Sequence, residues 1–343
     1  MSERKTIFEI AAVYTAVIIG AGFATGRELI SFFLNYGEYA VPGLALSGAL
    51  MAASGWATLE ICRRKRLVGY SQLLEYAAGR YVGAVIKAGS AVFLFVIFSA
   101  MLSAAGAFGE QLFGLPAIFG AVALCLMCFA ALAFDLGGLV RVNTLLAPVM
   151  VLGGVGLGLY TYFADAAPAF SAVGKIGDWA GAALVYASYN MITVISVLAA
   201  MSAFARTRRS AFFGVVLGAG AVTLIALCLT LGLSRGLDIV REVHIPFLRL
   251  VQDYGAALLW VYVIVLAAAV YTTAVTNGYC FYVTALKLLR IKPMPAKAAM
   301  CAAALTFSQI EFTKFVENVY PLFGLLGLFL SGILLITILT RAY

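Results

Sequence analysis

The stretch Ile18-Ile-Gly-Ala-Gly-Phe-Ala-Thr-Gly-Arg-Glu-Leu29 holds glycines at 20, 22 and 26, followed at once by Arg27 and Glu28. It sits inside an apolar run from Ile7 to Asn35, long enough to cross a bilayer. Each glycine costs a helix about 1 kcal/mol relative to alanine, so this density predicts that the helix unwinds here. A break at membrane depth leaves backbone groups that lipid cannot satisfy: carbonyls around Val17 to Gly20, and amides around Gly22 to Thr25. The carbonyl end suits a cation and the amide end a carboxylate. A small-residue packing face is the other reading, since Gly22 and Gly26 are four apart. Arg27 and Glu28 weigh against it, because charged side chains are costly on a face turned to lipid or to a packed helix.

The surrounding composition fixes the class. Of 343 residues, 64% are hydrophobic and 11% charged, and a mean hydropathy of +1.04 leaves no polar half to form a soluble domain. An ordinary soluble enzyme is excluded. The net charge of +8 comes from basic residues clustered between apolar runs, the pattern that orients membrane proteins and not one that binds nucleic acid. The six cysteines (62, 125, 128, 228, 280, 301) fall in or beside apolar runs, so no disulfide framework is expected. Cys125-Leu-Met-Cys128 reads as small core residues, and the single histidine, His244, as a surface residue. The N-terminal MSERKT leads into an apolar run with no small-residue cleavage site and reads as the start of a span, not a removable signal. No HExxH, Walker-type loop or GxSxG occurs, and no catalytic constellation is expected.

Apolar runs between charged punctuation predict ten spans in an all-α polytopic membrane protein: residues 7–35, 41–62, 82–111, 116–136, 143–163, 179–204, 211–233, 256–289, 296–310 and 316–339. With the N-terminus inside, seventeen of the 23 basic residues fall on the inner side, among them Arg4, Lys5, Arg63 to Arg66, Arg141, Arg206, Arg208, Arg209, Arg290 and Arg341. Five, Lys175, Arg235, Arg241, Arg249 and Lys314, fall outside, and Arg27 alone lies within a span. Both termini are therefore expected in the cytoplasm. Two connections are amphipathic at helical spacing, Val68 to Gly79 inside and Asp238 to Tyr254 outside. Each follows the second span of a set of five, at nearly equal distances from Ile7 and Trp179. The expectation is one transmembrane domain over 1–343 with inverted repeats at about 7–163 and 179–341, the first helix of each half, spans one and six, being discontinuous.

In span six the matching point is Leu184 to Thr193, with Tyr186, Ser188, Tyr189 and Asn190 clustered at mid-span. It has no glycine or proline, and its polar groups suit either a ligand or hydrogen bonds between helices. Span eight carries Thr272, Thr273 and Thr276, hydroxyl oxygens that suit a weakly held Na+ or, equally, their own helix carbonyls. Glu317 opens the last span on the side toward which Arg27 faces, which suggests an outer gate pair. Glu9, Glu60, Glu110 and Asp135 lie near span ends, within reach of the interface.

The stretch Ile19 to Glu28, with Phe32 and Phe33 after it and Tyr186 to Asn190 in span six, resembles the YkvI-type membrane proteins, a bacterial branch related to the amino acid-polyamine-organocation superfamily. The resemblance spans the whole chain. It implies the LeuT-type five-plus-five fold, alternating access, and an amino acid or similar small solute bound between spans one, three, six and eight. It further implies a Na+ held by the carbonyls of Val17, Gly20 and Ala269 with the side chains of Thr272 and Thr273, and a gating role for Arg27. Span five has no lysine to stand in for Na+, which favours Na+ over a proton-substituting lysine and leaves H+ as the other coupling ion, and span six lacks the usual glycine-rich break. The expected solute site is Gly20, Ala21, Gly22, Phe23, Ala24 and Thr25, where amides after Gly22 hold a carboxylate, together with Tyr186, Ser188, Tyr189 and Asn190, with Phe23, Phe95 and Phe98 closing over it. The expectation is thus a secondary active transporter of a carboxylate-bearing solute in the bacterial inner membrane, needing no organic cofactor. A membrane sensor or assembly protein on the same fold is the alternative.

Overall fold

The computed structural model describes residues 3–132, 136–164, 170, 178–205, 207–240, 243, 245–289 and 292–340. Asp135, Lys175, Arg206, Arg241, His244, Arg290 and Arg341 lie outside the described residues. Among these residues the chain is all helix and turn. The first apolar run is divided into α1 (Glu3–Ile18), α2 (Ala21–Ala24) and α3 (Arg27–Phe32), and a 3-10 segment, Leu34–Tyr39, leads into α4 (Ala40–Lys65). Then come α5 (Tyr70–Ala78), α6 (Arg80–Phe113), α7 (Ala117–Ala131), α8 (Leu136–Ala164) and α9 (Trp179–Ala200). The remainder comprises α10 (Arg208–Arg235), α11 (Leu237–Val240), α12 (Pro246–Gln252), α13 (Ala256–Leu289), α14 (Pro293–Phe307), α15 (Phe312–Lys314) and α16 (Tyr320–Thr340), the last entered through a π-helical turn at Phe315–Val319.

Among the described residues, seven helical stretches are long and apolar enough to cross a membrane, at 34–65, 80–113, 137–164, 179–200, 208–235, 256–286 and 312–340. Three expected spans take other forms: the first is broken into short helices, and α7 and α14 are 15 residues each. The two amphipathic connections form α5 inside the first half of the chain and α11 with α12 inside the second.

One expectation is overturned. Span six is not discontinuous: α9 runs unbroken for 22 residues through Tyr186, Ser188, Tyr189 and Asn190. With no glycine or proline in that stretch the ladder has no weak point, and Asn190 Nδ2 turns back to donate to the Tyr186 carbonyl at 2.9 Å.

The core forms where α10 packs on α1, α4 and α8, α9 packs on α4 and α16, and α13 packs on α6 and α8. Backbones approach closely at small residues, as expected where lipid tails give no hydrophobic drive and van der Waals contact holds helices together. A Cβ at Gly158 would overlap the Cys228 backbone between α8 and α10, and one at Gly327 would overlap the Ser188 carbonyl between α16 and α9. The Gly327 contact brings Tyr320 of α16 beside Tyr189 of α9, their ring centroids 5.2 Å apart.

Each amphipathic connection is docked on a distant helix. The Gly69 amide, just before α5, donates to the Ala199 carbonyl of α9 at 3.0 Å, and Ser202 Oγ donates to the Leu67 carbonyl at 2.9 Å. The Phe247 amide of α12 donates to the Thr25 carbonyl at 2.9 Å.

Candidate functional site

The break in the first helix has a simple origin. The Gly20 amide turns back to the Ile18 carbonyl at 2.8 Å and so leaves the Ala16 carbonyl without its helical donor. The Ala21 amide points to Met101 Sδ of α6 at 3.5 Å and closes no bond to Val17. Helical pairing resumes when Ala24 donates to Gly20 and Thr25 to Ala21, both at 2.8 Å. A second kink follows at Gly26, whose φ of 83° is a left-handed conformation that glycine adopts without strain.

The freed carbonyls face α13. Thr273 Oγ1 lies 3.3 Å from the Ile19 carbonyl oxygen and 3.5 Å from that of Ala16, and Thr272 Oγ1 lies 3.5 Å from the Ala16 oxygen. These separations are longer than a good hydroxyl hydrogen bond. They match the oxygen–oxygen edge of about 3.4 Å around a cation that takes oxygens at about 2.4 Å, as Ca2+, close to Na+ in size, does. Thr272 also meets the Ala269 carbonyl at 3.2 Å and the Ala268 carbonyl at 2.9 Å. Of the expected carbonyls, Ala269 is thus beside the hydroxyls. The first-helix carbonyls that reach them are Ala16 and Ile19, each one residue before the Val17 and Gly20 of the expected set. Gly20 is displaced because its carbonyl already accepts the Ala24 amide. Behind Thr273, Asn277 Nδ2 donates to the Thr273 carbonyl at 2.8 Å while its Oδ1 accepts from Thr193 of α9 at 3.0 Å. Asn143 of α8 donates to Thr276 at 3.2 Å. Sequence reasoning passed over both asparagines, since an amide inside a long apolar helix does not show which oxygen it holds.

On the other side of the break lies a carboxylate. Glu28 of α3 is 5% exposed, and its oxygens stand against the Cα of Gly22, where a Cβ would overlap them. Four residues on, on the same face of α3, Phe32 meets Tyr186 and Tyr189, with ring centroids at 5.7 and 5.5 Å. Tyr189 touches Tyr320 and, at 6.1 Å, Phe93 of α6. The hydroxyls of Tyr186, Tyr189 and Tyr320 lie in the field of the Glu28 carboxylate. Glu28 Oε2 and the three hydroxyls are buried with no hydrogen-bond partner.

The expected solute residues therefore divide. Gly20, Ala21, Gly22, Phe23, Ala24 and Thr25 are all buried at the break, and Tyr186 and Tyr189 join them through Phe32 and Glu28. The Ala24 and Thr25 carbonyls are already taken, by the Tyr262 hydroxyl at 3.2 Å and the Phe247 amide. The Ser188 carbonyl packs on Gly327, its hydroxyl is buried without a partner, and Asn190 is occupied by its own helix. Phe98 is buried against Gly278 of α13. Phe95 points elsewhere, tilted against Phe281 at 5.2 Å and edge-on to Phe307 at 5.6 Å. Glu28, Phe93 and Tyr320 were not expected in the site. The signal for Glu28 was present in its spacing of four from Phe32.

Arg27 Nη2 and Glu317 Oε1 form an ion pair at 2.5 Å between α3 and the π-helical turn. If this contact gates the site, Arg27→Glu and Glu317→Arg are each expected to lower uptake severalfold, and the double swap to restore it. Wild-type uptake in Glu317→Ala, together with no rescue by the swap, would exclude that role.

No family model matches the chain. The uncharacterized membrane protein YkvI of Bacillus subtilis (strain 168) is 26% identical over 335 residues, covering 97% of this chain and 96% of that protein. Among solved structures, MhsT in complex with L-phenylalanine superposes with a TM-score of 0.73 at 16% identity, over 98% of this chain and 89% of that one. A Na+-coupled sialic acid symporter in its substrate-bound outward-open state gives 0.62 at 10% identity, over 94% and 78%. The chain is thus a homologue of the YkvI membrane protein over nearly its whole length, an all-helical polytopic membrane protein with the LeuT-type transporter fold.

Proposed function

We propose that this protein is a secondary active transporter that carries a small amino acid-like solute across the bacterial cytoplasmic membrane by alternating access, with Na+ as the co-transported ion. The observation that carries the reading is the pair of freed carbonyls, Ala16 and Ile19, opposite the Thr272 and Thr273 hydroxyls. Neutral oxygens at this spacing bind Na+ weakly enough to release it, which a coupling ion requires. The solute lies across the break from that site, its carboxylate toward the amides of Gly22 and Phe23, on which no backbone carbonyl closes among the described residues. The likeness to a structure holding L-phenylalanine and to a Na+-coupled symporter supports both assignments.

In this reading the chain is a single domain of ten spans in two inverted sets of five, with both termini in the cytoplasm. The distribution of basic residues supports the orientation. The exchanged docking of α5 on α9 and of α12 on the first helix supports the repeat. Chemistry on the solute has no part in it.

The test is uptake of radiolabelled amino acids into proteoliposomes. At least one is expected to accumulate at least tenfold faster under an inward Na+ gradient than under K+, with the gain lost when an ionophore collapses the gradient. Absence of uptake across the common amino acids, under Na+ and H+ gradients alike, would overturn the reading.

A further inference from the structure

The carboxylate of Glu28 calls for an explanation beyond the Na+ site. An ionised carboxylate sealed from water without a partner is costly, so such a group is held neutral by a proton or balanced by a cation. Arg27, its neighbour on the same helix, pairs with Glu317. Among the described residues, the titratable groups within electrostatic reach of Glu28 are Tyr186 and Tyr189 on α9 and Tyr320 on α16. From the other elements packed on α3, α10 contributes Leu233 against Gly26, while its Arg235 lies over the Tyr162 ring at 4.1 Å. Glu38 of the 3-10 segment is exposed, and Glu317 of the π-helical turn is held by Arg27.

What surrounds the carboxylate is a set of oxygens and ring faces. Glu28 Oε2 and the hydroxyls of Tyr186, Tyr189 and Tyr320 are buried with no hydrogen-bond partner, and Phe32 and Phe93 complete the wall. We propose that Glu28, in this cage of Tyr186, Tyr189 and Tyr320, binds the primary ammonium group of the transported solute. A primary ammonium offers three N–H donors to oxygens that need them, and its charge is favoured by aromatic faces. A quaternary ammonium suits the rings but offers no donor and leaves the oxygens unsatisfied. The inference rests on the proposed transport of a small solute and adds which of its groups is recognised. Because a proton and an ammonium neutralise the same carboxylate, they compete. Ammonium binding to the protonated site releases that proton to water, and the solute's apparent affinity weakens as pH falls.

The experiment measures binding to the detergent-purified full chain in Na+ buffer by thermal shift. The probes are L-amino acids, their decarboxylated amines, their deaminated acids and their N-trimethylated forms. Every probe that stabilises the protein is expected to carry a primary ammonium, and deamination or trimethylation is expected to weaken binding at least tenfold. Wild-type affinity should fall by up to about tenfold per pH unit on the acid side. Glu28→Gln should lose at least tenfold in affinity, lose that pH dependence, and keep its stabilisation by Na+. The proposal is overturned if a deaminated or trimethylated probe binds as tightly as its parent, if Glu28→Gln binds with wild-type affinity, or if no ammonium-bearing probe stabilises the wild type. Should Glu28→Gln fail to fold, the wild-type probe series decides. Ammonium-selective binding without flux would remove the transport reading and leave this one standing; flux of a solute that lacks an ammonium would do the reverse.

Discussion

A Thr273→Val protein is expected to fold as the wild type does and to need at least ten times more Na+ for half-maximal uptake. Valine has the shape of threonine, and the methyl packed on Gly20, where Thr273 Cγ2 would meet a Cβ at 3.1 Å, is retained. Only the oxygen facing the Ile19 and Ala16 carbonyls is lost. A cation that depends on a handful of neutral oxygens loses a sizeable share of its binding with one of them. Thr272→Val should show a similar shift, with an added contribution from its lost bond to the Ala268 carbonyl at 2.9 Å. A Na+ titration of initial rates in proteoliposomes gives the answer. If Thr273→Val keeps a half-saturating Na+ concentration within twofold of wild type, the cation does not sit between the first helix and α13.

The second large effect is expected at Gly22. Its missing Cβ makes room for the Glu28 carboxylate, and any side chain there must push that carboxylate out of the tyrosine cage. Gly22→Leu should reduce uptake at least a hundredfold, and Gly22→Ala should fall between it and the wild type. The obstructed atoms are the end of a side chain and not backbone, so the helices can still pack and the loss is local to the site. Circular dichroism and Na+-dependent thermal stability separate loss of function from loss of fold. A Gly22→Leu protein that folds and transports at the wild-type rate would place the solute away from the break.

The break was readable because three glycines within one apolar run have a physical cost that no neighbour relieves. The threonines of α13 and the pairing of Arg27 with Glu317 were readable for a related reason: polar and charged groups inside spans need partners. The register of the freed carbonyls was not. It depends on a single amide, that of Gly20, turning to Ile18 and not to Ala16, and composition is silent on such a turn. The continuity of α9 follows from the absence of any helix-weakening residue between Leu184 and Thr193, which outweighs the symmetry between the halves. Glu28 was noticed as costly in a span, but a rotation along α3 decides that Arg27 turns outward while Glu28 turns toward Gly22. Phe93 and Tyr320 enter only through tertiary packing, as Gly327 lets α16 settle on α9.

The two docked connections bind the molecule crosswise. The segment before α5 grips the end of α9, and α12 grips the first helix between α2 and α3, each through a main-chain hydrogen bond to a stretch far away in sequence. Glu28 and Tyr189, which face one another, ride on the two gripped helices. A displacement of either docked segment therefore bears on the helices that carry this one contact. Each main-chain bond of this kind is worth about 1 kcal/mol net. Side chains hold the docking as well: Leu73 and Leu74 of α5 and Phe247 and Leu248 of α12 are buried, so substitutions there would loosen the linkage.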